Sequence, residues 1–316
     1  MRTTAQPRIT IAIPLYRSKR FLRIIRQNIR HITLPDAEIL LSDRHSDDDT
    51  LTLLEQEFGH DSRIRFLRFT DRIGWVAHYN ELLIQATGQY FMWMPHDDTF
   101  PRHYIPTLLA DFERDPSIWL SFGTLYSVYR QPRRVEIAQL PAWQSSGTWS
   151  PWCSLRWFLL WNMGVPMRGV FDRERVLNTN LFLKPVAPNN HYSDIYWLFA
   201  VGMHGPMHYN PAVFTVKRMY ANSTSGVWKH SDYFTAPGLK TLVNYVREAN
   251  LTPTSRYGFP VILTLYGWAY QLIVRTLFRW LPGIRQSMLR LLFKKMRIKK
   301  EIVKTQIISG FLAYKP

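Results

Sequence analysis

Cysteine is almost missing from this 316-residue chain. The single Cys153 excludes an internal disulfide and a cysteine-based zinc site. A reducing compartment is the expected setting. A long apolar run is missing from the start as well. The opening MRTTAQPRITIAIP is basic, but its apolar stretch is too short for the apolar region of a secretory signal, so a cytosolic chain is expected. No segment reads as long low-complexity sequence, and a hydrophobic content of 46% can supply a sizeable core. That length suits one large domain, or a domain of roughly 220–250 residues with an appendage.

Acidic residues are missing from Met1 to Pro35, which carries eight Lys/Arg. From Arg275 to Lys304 there are ten Lys/Arg against Glu301 alone. Their excesses of +8 and +9 equal the whole net charge of +17, so the body of the chain is balanced. A neutral body with two basic ends is suited to an anionic surface.

What the chain does contain is alternation. Ile9–Pro14 reads as a buried strand, and Ser18–Ile32 as a helix with Leu22, Ile25, Ile29 and Ile32 on one face. Lys19, Arg23, Arg26 and Arg30 form a basic stripe beside that face. Strands follow at Ala37–Asp43, Arg63–Phe69 and Tyr90–Met94, with helices at Asp48–Phe58 and Trp75–Thr87 between them. Gly88 is read as the C-cap of the last of these helices. Such alternation predicts an α/β fold with a doubly wound, mostly parallel sheet, whose sites gather beyond the C-terminal strand ends.

Three strand ends therefore draw attention. His96-Asp97-Asp98 follows the fourth strand; adjacent carboxylates there can share a hard divalent ion with phosphate oxygens, or one of them can cap the helix around Tyr104–Phe112. After the second strand, Asp43 is poised to accept a hydrogen bond from a base or ribose, while Asp48 and Asp49 suit the next helix N-terminus. Tyr16, past Pro14, can stack on a base or lie as a half-buried surface ring.

The order Pro14-x-Tyr16, Asp43-x-x-Ser46-x-Asp48-Asp49, Gly74…Asn80…Ala86-x-Gly88-x-Tyr90 and Asp97-Asp98 resembles the family 2 inverting glycosyltransferases of GT-A fold. The likeness covers about residues 8–115. Further along, Gly169-x-Phe171-x-Arg173-Glu174 looks like the family's acceptor-side element. Ser193-Asp194 is similar to its catalytic-base motif, and Arg218-x-x-x-Asn222-Ser223-x-Ser225 to its late diphosphate element. The resemblance implies that Pro14, Tyr16, Asp43, Ser46, Gly74, Asn80, Asp97 and Arg218 contact a nucleotide-diphosphate sugar. It further implies that Asp97 and Asp98 hold Mn or Mg, and that Asp194 is the base of a single inverting displacement. Five positions depart from the pattern: Arg17, Arg44-His45, Pro95 in place of the first DxD aspartate, and Tyr220 in place of a histidine. A catalytically impaired sugar-nucleotide binder fits the same motifs. The Gln-x-x-Arg-Trp motif of processive synthases is missing, so transfer of one sugar to a glycan or lipid-linked acceptor is expected.

Residues 1–235 are read as the GT-A domain and 236–316 as an apolar, basic, helical membrane-associating extension. Tyr257–Val274 is an uncharged, aromatic-rich run bracketed by Arg256 and Arg275. It stands at the lower limit for a spanning helix and suits an interfacial position. The basic stretch Arg285–Lys304 behind it fits a helix on anionic lipid. The chain is thus expected on the cytoplasmic face of the membrane. Nucleic acid is disfavoured as a partner, because acidic clusters would line the central cleft. The full chain is expected to co-sediment with phosphatidylglycerol vesicles, and a chain truncated after Thr254 to stay in the supernatant. Equal partitioning of the two would make the segment ordinary core and tail.

Overall fold

The computed structural model describes residues 6–129, 134–137, 147–150, 153–154, 157–158, 164–186, 190, 192–220 and, between 240 and 247, all but 242 and 246. Among these residues a nine-stranded sheet runs through the molecule in the order β3-β2-β1-β4-β8-β5-β9-β7, with β6 paired to β5. The strands are β1 (Ile9–Leu15), β2 (Ala37–Asp43), β3 (Ile64–Arg68), β4 (Tyr90–Trp93), β5 (Leu120–Tyr129), β6 (Arg134–Ile137), β7 (Gly147–Trp149), β8 (Val170–Asp172) and β9 (Met207–Met219). The helices are α1 (Leu22–His31), α2 (Thr50–Phe58), α3 (Trp75–Gln85), α4 (Tyr104–Arg114), α5 (Arg173–Asn178) and α6 (Ser193–His204).

The first four strands are parallel, as the alternation predicts. Strand β8 then inserts antiparallel between β4 and β5, and β9 lies parallel to β5. The fold is therefore a mixed α/β sheet. It has a parallel half that forms locally and a second half assembled from distant segments.

Both faces of β1 are buried, which explains its run of β-branched residues. On one side Ile11, Ile13, Ile39 and Leu41 pack with Ile25 and Ile29 of α1 and Leu51 and Leu54 of α2. On the other, Phe91, Trp93, Phe171 and Trp197 form an aromatic cluster. Trp93 lies 5.0 Å from both Phe171 and Trp197. Trp197 Nε1 donates to the Leu181 carbonyl at 2.8 Å, fastening α6 beneath the sheet. Tyr245 joins the same core and donates to the Phe182 carbonyl at 2.8 Å, so burial against the first region extends past residue 236.

Several local readings change. The first helix begins with a tight turn, Lys19–Phe21, before α1. Its basic stripe is substantially neutralised: Arg26 and Arg30 both pair with Glu57, and Lys19 pairs with Asp49. Gly88 is not a C-cap, because α3 ends at Ala86 in extended conformation. Gly88 is required instead by the approach of β1, where an added Cβ would meet Thr10 N at 2.4 Å and Ile9 C at 2.6 Å. Its amide donates to Thr10 Oγ1 at 2.8 Å, and that hydroxyl donates to buried Glu38 at 2.6 Å.

No helix among the described residues is long and apolar enough to cross a membrane. Tyr257–Val274, Arg285–Lys304 and the Asn222–Ser225 part of the late motif lie outside the described residues.

Gly88→Ala should lower stability by about 1–3 kcal/mol, the usual cost of overpacking against backbone. A urea midpoint unchanged from the wild type would show that β1 can move aside.

Candidate active site

At the C-terminal end of β1 the chain turns through Tyr16 and Arg17, and at the end of β2 through Arg44 and His45. Arg17 and His45 both carry positive φ, 48° and 64°, a conformation that residues with a side chain adopt at a cost. Ser46 holds the two turns together. Its hydroxyl accepts from Arg17 N at 3.0 Å and donates to Asp43, whose other oxygen accepts from Ser46 N at 2.9 Å. Asp43 and Ser46 thus build the floor of the turn. Asp48 accepts from Lys19 N and Thr50 N, whereas Asp49 spends its carboxylate on Lys19 rather than on a helix cap.

Tyr16 is enclosed by arginines. Arg44 lies 4.0 Å from its ring centroid, Arg72 at 5.2 Å and Arg17 at 5.4 Å, and Arg72 donates to the phenol oxygen. One face of the ring is therefore covered by Arg44, which also donates to the Ile73 carbonyl at 2.9 Å. Behind them His78 bonds Ser42 at 2.8 Å. Burial lowers its pKa to about 4, so it is neutral at physiological pH.

Gly74 opens α3, and an added Cβ there would meet nothing. Asn80 faces a different task from the expected donor contact. Its amide donates to the Leu183 carbonyl and its oxygen accepts from Leu183 N, both at 2.9 Å. It is a tie between α3 and the segment leading to α6.

Beyond β4 the chain forms a turn in which His96 Nδ1 bonds the Pro14 carbonyl at 3.0 Å. Asp97 and Asp98 then part company. Asp97 accepts from the Tyr220 hydroxyl at 2.9 Å, and Arg20 stands 4.7 Å above the Tyr220 ring. Asp98 turns inward and pairs with Arg168, Nε to Oδ2, at 2.6 Å; the side chains are only 1% and 12% exposed. Neither aspartate caps α4, whose N-cap His103 makes no side-chain bond.

The Asp97–Asp98 pair fits a divalent ion poorly. A hard cation needs several open oxygens. Here one Asp97 oxygen serves Tyr220 and one Asp98 oxygen serves Arg168, while the other Asp98 oxygen is buried beside that ion pair with no hydrogen-bond partner, so that Asp98 offers a single open donor where a hard cation needs several. Among the described residues no third carboxylate, histidine or cysteine completes a ligand set.

Asp194 enters this group from the first turn of α6. Gly164 makes room for it: an added Cβ would approach Asp194 Oδ2 to 2.8 Å. Burial raises its pKa to about 6, only partly offset by a backbone bond and by the nearby Lys217 and Arg168. Lys217 senses Arg168, Asp98, Asp97 and Asp194 together, and burial foremost lowers its pKa to about 8. Tyr79, stacked on Trp93 at 5.6 Å, is buried beside the same four charges, and its hydroxyl is held protonated by that burial.

The expected residues thus separate. Asp97, Asp98 and Asp194 come together; Pro14, Tyr16, Asp43 and Ser46 form the adjoining turns; Asn80 is elsewhere occupied. Lys217, Arg168 and Tyr79 were not singled out by the motifs. Strand alternation sends Arg218 to the face opposite Lys217, so Lys217 is the cation that joins the carboxylates. The one sequence signal for it is a lysine inside the strand pattern Val213–Met219.

Because the Asp98–Arg168 pair is buried, Asp98→Asn should not leave the fold untouched, as the motif alone would imply. Breaking one partner of such a pair costs about 3–5 kcal/mol. Arg168→Met should show that loss in chemical denaturation, and the double variant Asp98→Asn/Arg168→Met should recover part of it. Strictly additive losses would mean that the two side chains do not depend on each other.

Comparison with known proteins identifies the fold that carries this site. Residues 10–159 match the family model described as Glycosyl transferase family 2. Chondroitin synthase of Escherichia coli is 24% identical over 125 residues, 40% of this chain and 18% of that protein. The GalNAc(5)-diNAcBac-PP-undecaprenol beta-1,3-glucosyltransferase of Campylobacter jejuni is 27% identical over 104 residues, 33% of this chain and 34% of that protein. The matches thus span no more than about a third of the length of these relatives. S. aureus TarS 1–349 superposes with a TM-score of 0.63 at 12% identity, covering 87% of this chain and 75% of that one, and it has been solved with UDP-GlcNAc. The Pyrobaculum calidifontis mannosyltransferase PcManGT, solved with GDP-Man and Mn2+, gives 0.53 at 16% identity, over 98% and 79%. Residues 10–159 therefore form a family 2 glycosyltransferase domain, carried on a GT-A-like mixed α/β sheet.

Proposed function

We propose that this chain transfers a single sugar, with inversion, from a nucleoside-diphosphate donor to a hydroxyl of a glycan or lipid-linked acceptor. The observation that carries this reading is the convergence of Asp194 with Asp97, Asp98, Arg168 and Lys217 beside the Tyr16 and Asp43–Ser46 turns. The relatives' printed activities and the neighbours' bound nucleotide sugars support it.

In this reading the nucleoside lies across the ends of β1 and β2. The enclosed Tyr16 leaves Arg44 and Arg72 as the groups that face the base, and the Asp43–Ser46 turn sets the floor for the ribose. The diphosphate then reaches the end of β4. Asp194 takes the acceptor's hydroxyl proton as that oxygen attacks the anomeric carbon. The bond from that carbon to the diphosphate breaks, and its electron pair leaves with the nucleoside diphosphate. An aspartate with pKa near 6 is a stronger base than an exposed one and is still ionised at neutral pH. The Mn2+ in the PcManGT structure supports a divalent cofactor in a neighbour of this fold, but the engagement of Asp97 by Tyr220 and of Asp98 by Arg168 gives it no step in the chemistry derived from this chain.

Membrane attachment through residues 236–316 is part of the same proposal. It rests on the composition of that segment, since the α1 stripe is largely paired.

A panel of UDP- and GDP-sugars, screened by thermal shift and then by radiolabelled transfer, tests the reading. Asp194→Asn should retain nucleotide binding and lose about 10²–10⁴-fold in transfer, the usual worth of a general base. The wild-type rate should fall as pH drops through about 6, because protonation removes the base. A variant that transfers normally would remove Asp194 from the chemistry.

A further inference from the structure

The carboxylates at the end of β4 already have side-chain partners. Asp98 faces Arg168 in a buried 2.6 Å ion pair. Asp97 holds the Tyr220 hydroxyl, and Arg20 covers that ring. Lys217 is placed among all three aspartates by β9, because Thr99 and Val216 exchange backbone bonds of 2.9 and 3.0 Å, which brings the next residue of β9 alongside Asp98. Among the described residues, Asp98 thus has Arg168 as its ion-pair partner, Asp97 is held by a phenol backed by Arg20, and Lys217 lies near all three aspartates, which leaves little uncompensated negative charge to draw a divalent ion. The position before His96 is Pro95, which offers no ligand oxygen on its side chain.

We propose that this chain uses its donor without a divalent metal, with Lys217, steadied by the Arg168–Asp98 pair, as the fixed cation that receives the departing nucleoside diphosphate. This inference rests on the donor reading above. A lysine ammonium is a compact point charge suited to phosphate oxygens. Held in a site that excludes water, it stabilises developing negative charge without reorganising during the step. The balance of the step is unchanged. The electron pair of the broken carbon–oxygen bond stays on the β-phosphate oxygen, where Lys217 neutralises it, and the acceptor proton goes to Asp194. Arg168 acts through Asp98: its guanidinium is bound both to that carboxylate and to the Gly164 carbonyl at 3.3 Å, so it fixes the carboxylate that Lys217 faces. The lowered lysine pKa of about 8 is consistent with a cation partly stripped of water yet still mostly charged at neutral pH.

The test is calorimetric titration of the full chain with UDP and with GDP, in EDTA and in excess Mn2+. The affinity for whichever nucleotide binds should differ by less than about threefold between the two buffers. Lys217→Gln should weaken it about tenfold or more in EDTA, with no rescue by Mn2+, while Lys217→Arg should stay within about threefold of wild type. Binding that disappears in EDTA and returns with Mn2+ overturns the inference and leaves the donor reading standing. Lys217→Gln binding like the wild type in EDTA also overturns it. Failure of both nucleotides in both buffers overturns the donor reading, and the inference with it.

Discussion

The Arg168–Asp98 ion pair joins two parts of the chain that lie far apart in sequence. Asp98 follows β4 in the locally formed parallel half of the sheet, and Arg168 lies two residues before β8, the strand that links β4 to β5. At 2.6 Å and almost entirely out of water, the pair is tolerable only because each charge is compensated. Arg168 cannot leave without stranding Asp98. The position of β8 and the geometry of the carboxylate group are consequently one constraint. Asp194, Lys217 and Tyr79 are arranged around it.

Around that pair the molecule separates its polar groups by depth. At the rim Arg17 pairs with exposed Asp47 at 2.9 Å, a bridge of the kind that contributes little to stability. Within the turns, Ser46 and Asp43 satisfy backbone donors that would otherwise be left open by the positive-φ residues. Deeper still, burial sets the protonation of Asp194, Lys217 and Tyr79 in opposite directions for acids and bases. An open concavity of ≈ 350 Å³, lined by Arg8, Asp36, Gln89 and Glu113 among others, lies at the N-terminal ends of the strands, away from these groups. Its charged lining residues include Arg8, which is bonded to Glu113.

How much of this was legible follows from range in sequence. The four parallel strands and their helices announce themselves through periodicity, so Ile9–Leu15 and Ala37–Asp43 were readable almost to the residue. The turn residues Tyr16, Asp43 and Ser46 and the Asp97-Asp98 pair were visible because strand ends are marked by proline and acidic residues. What the motifs could not reveal depends on pairing between distant segments. Gly88 reads as a helix stop until β1 is seen to press against it. Asn80 reads as a ligand contact until Leu183 takes both ends of its amide. Lys217 and Arg168 are conspicuous only once β9 and β8 are laid beside β4. The motif points to Arg218, whereas the residue among the carboxylates is its neighbour Lys217, and a one-residue change in a strand exchanges its two faces.

The central claim is that a nucleotide donor occupies the C-terminal strand ends beside the Asp98–Arg168 pair. Hydrogen–deuterium exchange of the full chain with saturating UDP or GDP addresses it most directly. Amides in 15–18, 43–48, 72–75 and 96–98 should gain protection, while 6–8, 36 and 113 at the opposite edge should not change. Protection confined to that opposite edge, or spread evenly over the sheet, would contradict the account.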